Sequence, residues 1–476
     1  MPNQNVVNTL EAREGHVTWT TGQGSEACGT VVRLTRYAVA FEIDDPAVVL
    51  QASEVLEKFQ MFIGDRAIYN GRAVVTGLVQ TGLVLLCEAK LDEEAAEAGL
   101  ASAAETCASL EQDCELFFRQ WQTNYRISPE FKVLVADVEA FLVGVGQWLD
   151  QLEFCTGTRR DRLLPEQERE LLEKVGSRVI GTFNSQHERF EEMIYAVPEE
   201  FRGAHESFVR HHWQKLFLCT PFGNRTYYKP LGYAGDYEMM NMIHRNQPEG
   251  SSLYRKLIHL LLVSQWPAQS VRNRISHLKE NIFREAVRVS RWNRPCRILN
   301  IGCGPAWEIQ DFLRQTSAQP EAEITLVDFN EETLAHVRSR LAELIGRSGW
   351  RGRVETRRLS VYQLLRQGSQ AGDGVLEENY DLIYCAGLFD YLSDVTCRSL
   401  VGLFYNCLLP GGLMVVANMK DDKPFRNFIE FVLDWHLIYR DSRRLDGFAP
   451  KRARETARVE AEPTSVNLFL HARKPE

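Results

Sequence analysis

Arg297-Ile-Leu-Asn-Ile-Gly302-Cys-Gly304-Pro-Ala306-Trp-Glu308 is the stretch from which the fold can be read. An apolar, strand-forming run, Arg297–Ile301, breaks on Gly302 and Gly304 and passes straight into a helical pattern over Glu308–Gln315. Glycines at such a break allow a tight turn and let a ligand lie against the backbone. The next apolar run, Ile324-Thr-Leu-Val-Asp328, ends in a carboxylate, which can accept both ribose hydroxyls of a bound nucleoside. The competing use of Asp328 is to cap the helix expected from Glu331. A dinucleotide site would want a third glycine where Trp307 stands, so a dinucleotide is disfavoured.

Outward from this turn the pattern alternates. Strands are expected at Glu323–Asp328, Val354–Leu359, Tyr380–Cys385 and Gly412–Asn418, with helices at Glu331–Ile345 and Thr396–Cys407. Strands separated by helical stretches make parallel β-α-β units, hence an α/β doubly wound, Rossmann-like sheet over residues 291–476.

The spacing resembles Glu/Asp-x-Gly-x-Gly-x-Gly, the first motif of class I S-adenosylmethionine-dependent methyltransferases. Asn300 takes the acidic position and Ala306 that of the last glycine. Further family landmarks follow in order. Leu359-Ser360-Val361 falls where adenine is contacted, and Tyr380-Asp-Leu-Ile-Tyr384-Cys-Ala-Gly387 resembles the fourth motif. Leu408-Leu-Pro-Gly-Gly-Leu-Met-Val-Val416 matches the turn and strand after it, and Val466–Arg473 the last, antiparallel strand. The resemblance implies S-adenosyl-L-methionine as cofactor, held by Asn300, Gly302, Gly304, Ala306, Asp328, Phe329, Ser360, Val361 and Cys385. No Asn/Asp-Pro-Pro-Tyr is present, which disfavours methylation of bases or amides. Cys303 is read as structural.

Residues 93–290 read as a helical cap. Asp92–Gln122, Phe131–Leu152 and Leu164–Tyr195 carry apolar residues at helical spacing, Pro129 suits a helix start, and Pro198-Glu-Glu opens another helix. One segment departs from helical habit: Arg225-Thr-Tyr227-Tyr228-Lys-Pro-Leu-Gly232-Tyr233-Ala-Gly235-Asp236-Tyr237. Its Gly-Tyr-Ala-Gly-Asp core resembles methyltransferases labelled extracellular factor or 3-hydroxypalmitic acid methyl ester biosynthesis protein. That group also carries Asp-Trp-x-Leu-x-Tyr-Arg, matched by Asp434-Trp435-His-Leu-Ile-Tyr439-Arg440. The resemblance implies a small-molecule or lipid-like acceptor with an oxygen nucleophile, such as a fatty-acid carboxylate. Tyr228, Tyr233 and Asp236 are the catalytic candidates, because aromatic faces attract a sulfonium and a carboxylate can act as base. Arg225, Tyr227, Tyr439 and Arg440 are the substrate-binding candidates. Ordinary packing for the tyrosines and helix capping for Asp236 are the competing uses.

Residues 1–92 read as a small β-barrel. Strands are expected at His16–Thr20, Gly29–Leu34, Ala38–Ile43, Arg66–Val75 and Leu78–Cys87. Gly29–Glu42 resembles the central strands of a PilZ domain. The positions of its nucleotide motif fall on Arg33, Thr35 and Ala38, and the paired arginines are missing. Cyclic di-GMP is therefore not an expected ligand, and the barrel reads as a docking or dimerisation module, for a protein partner or a second copy.

The chain has 476 residues, 55 basic against 64 acidic, for a net charge of −9. That balance gives no basic excess for nucleic acid, and no apolar run approaches the ~20 residues of a membrane span. The eleven cysteines form no CxxC pair and no zinc-ligand spacing, so reduced thiols, a cytoplasmic location and no metal are expected. His205, His211 and His212 are read as solvent-facing or capping. Two other functions stay open: consumption of the cofactor by cyclisation or alkyl transfer, and a non-catalytic regulator docking through its barrel.

Overall fold

The computed structural model describes residues 15–20, 26–34, 38–43, 50, 54–63, 66–80, 85–92, 118, 127–156, 164–314, 320–367, 379–421 and 425–476. Two compact units divide the chain, residues 1–121 and 122–476.

The first unit holds a closed antiparallel barrel of six strands. In chain order they are β1 (Gly15–Thr20), β2 (Glu26–Leu34), β3 (Ala38–Ile43), β4 (Val55–Ile63), β5 (Arg66–Gln80) and β6 (Leu85–Leu91), paired around the barrel as β1-β2-β3-β6-β5-β4. Strand β4 is the one that sequence pattern misses. Its register shifts between Leu56 and Phe59, where Lys58 takes φ +49°, so two buried residues lie three apart and the alternation is lost. The run expected as Leu78–Cys87 is the end of β5 and the start of β6. Val17, Trp19, Phe41 and Phe59 fill the interior. Arg33 pairs with Glu88 at 2.7 Å on the outside. Thr35 and most of the helix expected over Asp92–Gln122 lie outside the described residues.

The second unit joins helices and a sheet. Its leading helices are α1 (Pro129–Thr156), α2 (Pro165–Tyr195), α3 (Glu199–Leu218), α4 (Pro221–Tyr228), α5 (Tyr237–Arg245), α6 (Leu253–Ser264) and α7 (Trp266–Ser290). Pro129 stands at the first position of α1, and Ser128 Oγ accepts the Phe131 N–H at 3.1 Å. Seven strands follow: β7 (Cys296–Ile301), β8 (Ala322–Asp328), β9 (Arg353–Arg358), β10 (Tyr380–Cys385), β11 (Leu408–Met419), β12 (Arg458–Ala461) and β13 (Asn467–Arg473). They lie in the order β12-β13-β11-β10-β7-β8-β9, parallel from β11 to β9, with β13 antiparallel to β11. The order reverses beside β7, so the glycine turn after β7 opens at the sheet's switch point. Between the strands lie α8 (Trp307–Arg314), α9 (Glu331–Ser348), α10 (Val361–Gln367) and α11 (Asp394–Asn406).

The helical core is not built from the leading helices alone. Helix α12 (Arg426–Leu433), inserted after β11, buries Phe428, Phe431 and Val432 against Phe183, Phe190 and Trp213. Glu191, fully buried on α2, caps it from outside, accepting the N–H groups of Asn427 at 3.1 Å and Phe428 at 2.9 Å. Among the described residues, no helix is long and apolar enough to cross a membrane.

Candidate cofactor and acceptor site

The turn after β7 folds as the glycines require. Gly302 and Gly304 adopt φ +69° and +50°, and Ala306 follows at φ +50° in spite of its Cβ. A left-handed residue other than glycine costs about 1 kcal/mol. Here the position is fixed by bonds on both sides: the Ala306 N–H donates to Cys303 O, and its carbonyl accepts Ile309 and Gln310 to open α8. Asp328, at the end of β8, is nearly buried. Its Oδ2 accepts the Gly304 N–H at 3.1 Å and Oδ1 the Asn330 N–H at 3.0 Å. Burial raises its pKa, and the N–H groups of Asn330, Gly304 and Phe329 hold it back. The capping of α9 falls to Asn330, whose Oδ1 accepts the Thr333 N–H, so Asp328 is not spent on that helix.

Asn300 does not stand alone at the strand end. Its amide donates to Glu308 Oε1 at 3.0 Å, and Tyr384 of β10 donates to the same oxygen at 2.8 Å. An acid from the first turn of α8, eight residues on, thus stands against the strand-end amide. Burial raises the pKa of Glu308 and, with the Glu308 charge, holds the Tyr384 hydroxyl protonated. Cys303 is buried and its thiol is pushed up in the same way, so it carries no thiolate.

The helical block reaches this turn through its tyrosine- and glycine-rich segment. Tyr233 packs its ring 5.0 Å from Phe329, and bonds Thr333. Its hydroxyl pKa is raised, first by burial and then by the Asp328 charge, so Tyr233 stays protonated beside the β8 end. Gly235, at φ +78°, lets the chain pass where a Cβ would come within 2.8 Å of Tyr391 Oη and 3.4 Å of Trp435. Trp435 donates its indole N–H to that same hydroxyl at 2.8 Å, and Tyr391 donates to Ala234 O at 3.2 Å. The two motifs that sequence resemblance placed together, 200 residues apart, meet on Tyr391 after β10. Trp307 adds a second tie, donating to Asn241 Oδ1 at 2.8 Å and stacking on His244 at 3.7 Å.

The remaining sequence candidates separate. Asp236 is buried, caps α5 by accepting Glu238 and Met239 N–H, and is bridged on both oxygens by Arg225 Nε at 2.8 Å. Capping and ion pairing therefore account for Asp236 and for the charge of Arg225. Tyr228 is 65 % exposed and meets only Tyr227 edge-on. Ser360 caps α10 with Val361 at its start, and Leu359 N–H donates to Asp328 O, which brings this segment beside Asp328. Cys385 closes β10, fully buried, with its thiol pushed up by burial. Arg440 departs from expectation. Its guanidinium is consumed by Phe389 O, Leu392 O, Asn418 and Asp394, so it fastens the loop after β10 and has no donor left for an acceptor. Tyr439 is better placed. Its buried hydroxyl has no partner among the described residues, and it packs with Tyr391 and Trp435 around Met419, Leu437 and Val466. His205 is buried, with Nδ1 on Phe201 O at 2.8 Å, and is neither solvent-facing nor capping.

Arg274 was missed. This α7 residue is 8 % exposed, and forms no hydrogen bond or ion pair with any described residue. Its terminal nitrogens lie 3.2 Å from where a Cβ on Gly387 would stand, after β10, and its charge is felt by Glu308, Asp390 and Tyr391. A signal existed: Val271, Ile275, Leu278 and Ile282 form the buried stripe of α7, and Arg274 is a charge within it.

A glycine turn and a buried carboxylate stand at the switch point of a doubly wound, seven-stranded sheet, where open α/β sheets bind their ligands. Residues 299–414 match the family model of a methyltransferase domain. No curated protein sequence matches the chain. Among solved structures it is similar to a possible exported protein from Bordetella parapertussis, at 19 % identity over 51 % of this chain and 80 % of that one, with a TM-score of 0.39. It is also similar to the N-methyltransferase NodS from Bradyrhizobium japonicum in complex with S-adenosyl-L-homocysteine, at 15 % identity over 41 % and 87 %, TM-score 0.27. Magnesium protoporphyrin IX methyltransferase from Synechocystis gives 9 % identity over 56 % and 99 %, TM-score 0.32. Likenesses this partial bear no weight on the acceptor.

Proposed function

We propose that this protein transfers the methyl group of S-adenosylmethionine to an oxygen nucleophile on a small or lipid-like acceptor, such as a fatty-acid carboxylate. The observation that carries the reading is Tyr233 standing over Asp328 and Phe329. A residue of the helical block thereby closes the nucleoside end of the site.

In this reading Asp328 accepts the ribose hydroxyls, the backbone at Gly302, Gly304 and Ala306 lies along the cofactor, and Phe329, Ser360 and Val361 flank its adenine. Glu308, oriented by Asn300, pairs with the ammonium of the methionine end, and Arg274 with its carboxylate. The methyl sulfonium is already activated, so the protein's work is to hold the acceptor in line with the methyl group and to exclude water. A carboxylate acceptor is ionised at neutral pH and needs no base, which fits the engagement of Asp236 by Arg225. Asp236 and Arg225 then act as positioning residues for the tyrosine-rich turn. The acceptor lies against Tyr391, Trp435 and Tyr439, where the surrounding side chains are apolar. The group labelled 3-hydroxypalmitic acid methyl ester biosynthesis protein is the finer assignment, with residues 93–290 as the cap and a PilZ-like barrel that docks a protein or a second copy. Every described cysteine is unpaired, which supports a cytoplasmic setting.

Incubation with S-adenosylmethionine and a panel of hydroxylated and plain fatty acids tests this. Mass spectrometry should find S-adenosylhomocysteine and a methyl ester in equal amounts. Methylthioadenosine would mean cyclisation or alkyl transfer instead, and no turnover with any acceptor would favour a regulator.

A further inference from the structure

Away from the cofactor turn, three side chains from three elements converge at the sheet edge. His277 on α7 faces His471 on β13, Nε2 to Nε2 at 3.1 Å. Glu460 on β12 brings Oε2 to 3.4 Å from His471 Nε2, and the ligand atoms of all three lie within 4.8 Å of one another. Cross-strand pairing sets part of this: β12 and β13 pair Glu460 with Phe469, two residues from His471 and on the same face. The Phe469 ring stacks on His277 at 4.1 Å, which fixes the imidazole's direction.

We propose that His277, Glu460 and His471 form a binding site for a divalent first-row transition ion, with Zn²⁺ the ion best suited to the ligand set. Imidazole nitrogens and a carboxylate oxygen bind Zn²⁺ at about 2.0–2.2 Å, which places tetrahedral ligand atoms ~3.3 Å apart. The two measured separations lie on either side of that value. The Nε2–Nε2 hydrogen bond requires a proton on one of the two nitrogens, which an ion displaces to take both lone pairs. Partial burial works against the charge on Glu460, and the hydrogen bond from Arg458 outweighs it. Arg458 occupies the opposite oxygen, Oε1, at 2.5 Å, which leaves Oε2 to the histidines. His471 is buried while the Glu460 side chain is 39 % exposed, so an ion enters from the Glu460 side, where water completes the coordination. The ion ties α7 to the β12–β13 edge, next to the Asn273–Glu462 and Ser270–Asn467 bonds that already join them. Its helix is the one that carries Arg274, one turn earlier.

The test uses the full chain without a histidine tag, stripped with chelator and titrated calorimetrically with ZnCl₂. One ion per chain is expected. Binding should weaken at least tenfold in Glu460→Gln, an isosteric change at a partly exposed side chain, and in His277→Gln. Co²⁺ in place of Zn²⁺ should give the visible absorption of a four-coordinate nitrogen/oxygen site. No saturable binding overturns the proposal, as does Zn²⁺ binding that both variants leave unchanged, which would assign the ion to cysteines. S-adenosylhomocysteine affinity should persist in Glu460→Gln, so failure here stays separate from failure of the methyltransferase reading.

Discussion

The Asn300 amide donates to Glu308 Oε1 at 3.0 Å, joining a strand end to the helix that follows it. In the proposed function, this amide and acid together take the place of a single strand-end acid. Burial raises the pKa of Glu308 above the value it has unfolded. The folded chain therefore holds the extra proton between those two values, and stability falls as pH rises through that window. At neutral pH the ionised Glu308 is a cost to folding that Glu308→Gln removes, since an amide oxygen still accepts from Asn300 and Tyr384. Glu308→Gln should unfold at equal or higher temperature than the native chain at pH 7.5, with the advantage vanishing below the pKa of an unfolded Glu. Its S-adenosylhomocysteine affinity should fall ~10-fold or more, as for loss of a charged hydrogen bond. Differential scanning calorimetry and titration on the same sample check both halves.

Arg274 provides a buried side chain whose guanidinium has no hydrogen-bond or ion-pair partner among the described residues. Arg274→Gln should weaken S-adenosylhomocysteine by roughly 10–100-fold, while leaving methylthioadenosine, which lacks the amino-acid end, bound as before. Equal losses for both ligands would move Arg274 from the carboxylate to the fold. Loss of turnover at unchanged cofactor affinity would move it to the acceptor.

Tyr233 offers a proton-carrying hydroxyl and a ring. Tyr233→Phe keeps the ring against Phe329 and should retain cofactor affinity, whereas Tyr233→Ala opens the site and should lose affinity and turnover together. Steady-state rates and titrations of the two variants separate the hydroxyl's part from the ring's.

Gly235 is the hinge of the tyrosine-rich turn. In Gly235→Ala the added Cβ meets Tyr391 Oη at 2.8 Å, with φ already at +78°. The strain and overpacking should cost about 2–4 kcal/mol in denaturant unfolding. Tyr391→Phe, which only removes a hydroxyl from Trp435 and Ala234, should cost about 1 kcal/mol.

What sequence could disclose follows from how local each feature is. The turn from Ile301 to Glu308 announces itself because strand, glycines and helix are consecutive, and β13 was readable from its own run. Strand β4 was hidden by its bulge at Lys58, which breaks the period that marks a strand. Helix α12 has an apolar pattern of its own, but nothing near it shows that it completes a core with Phe183 and Phe190. Its cap, Glu191, lies more than 230 residues earlier. Asp236 and Arg440 carry the residue types of catalysis and recognition. Only the partners brought by folding, Arg225 for one and four backbone and side-chain acceptors for the other, show that their charges are already used. Glu308 and Arg274 were passed over for the converse reason: each sits in a helix read as packing, and its value lies in what it faces.

The most direct measurement is calorimetric titration of S-adenosylhomocysteine into the native chain and into Asp328→Ala. One site per chain is predicted for the native protein, with affinity lowered at least ~10-fold in the variant while its unfolding temperature stays close to native. Equal affinity in the two proteins, or no binding by the native chain, would contradict the placement of the cofactor on the carboxylate at the end of β8.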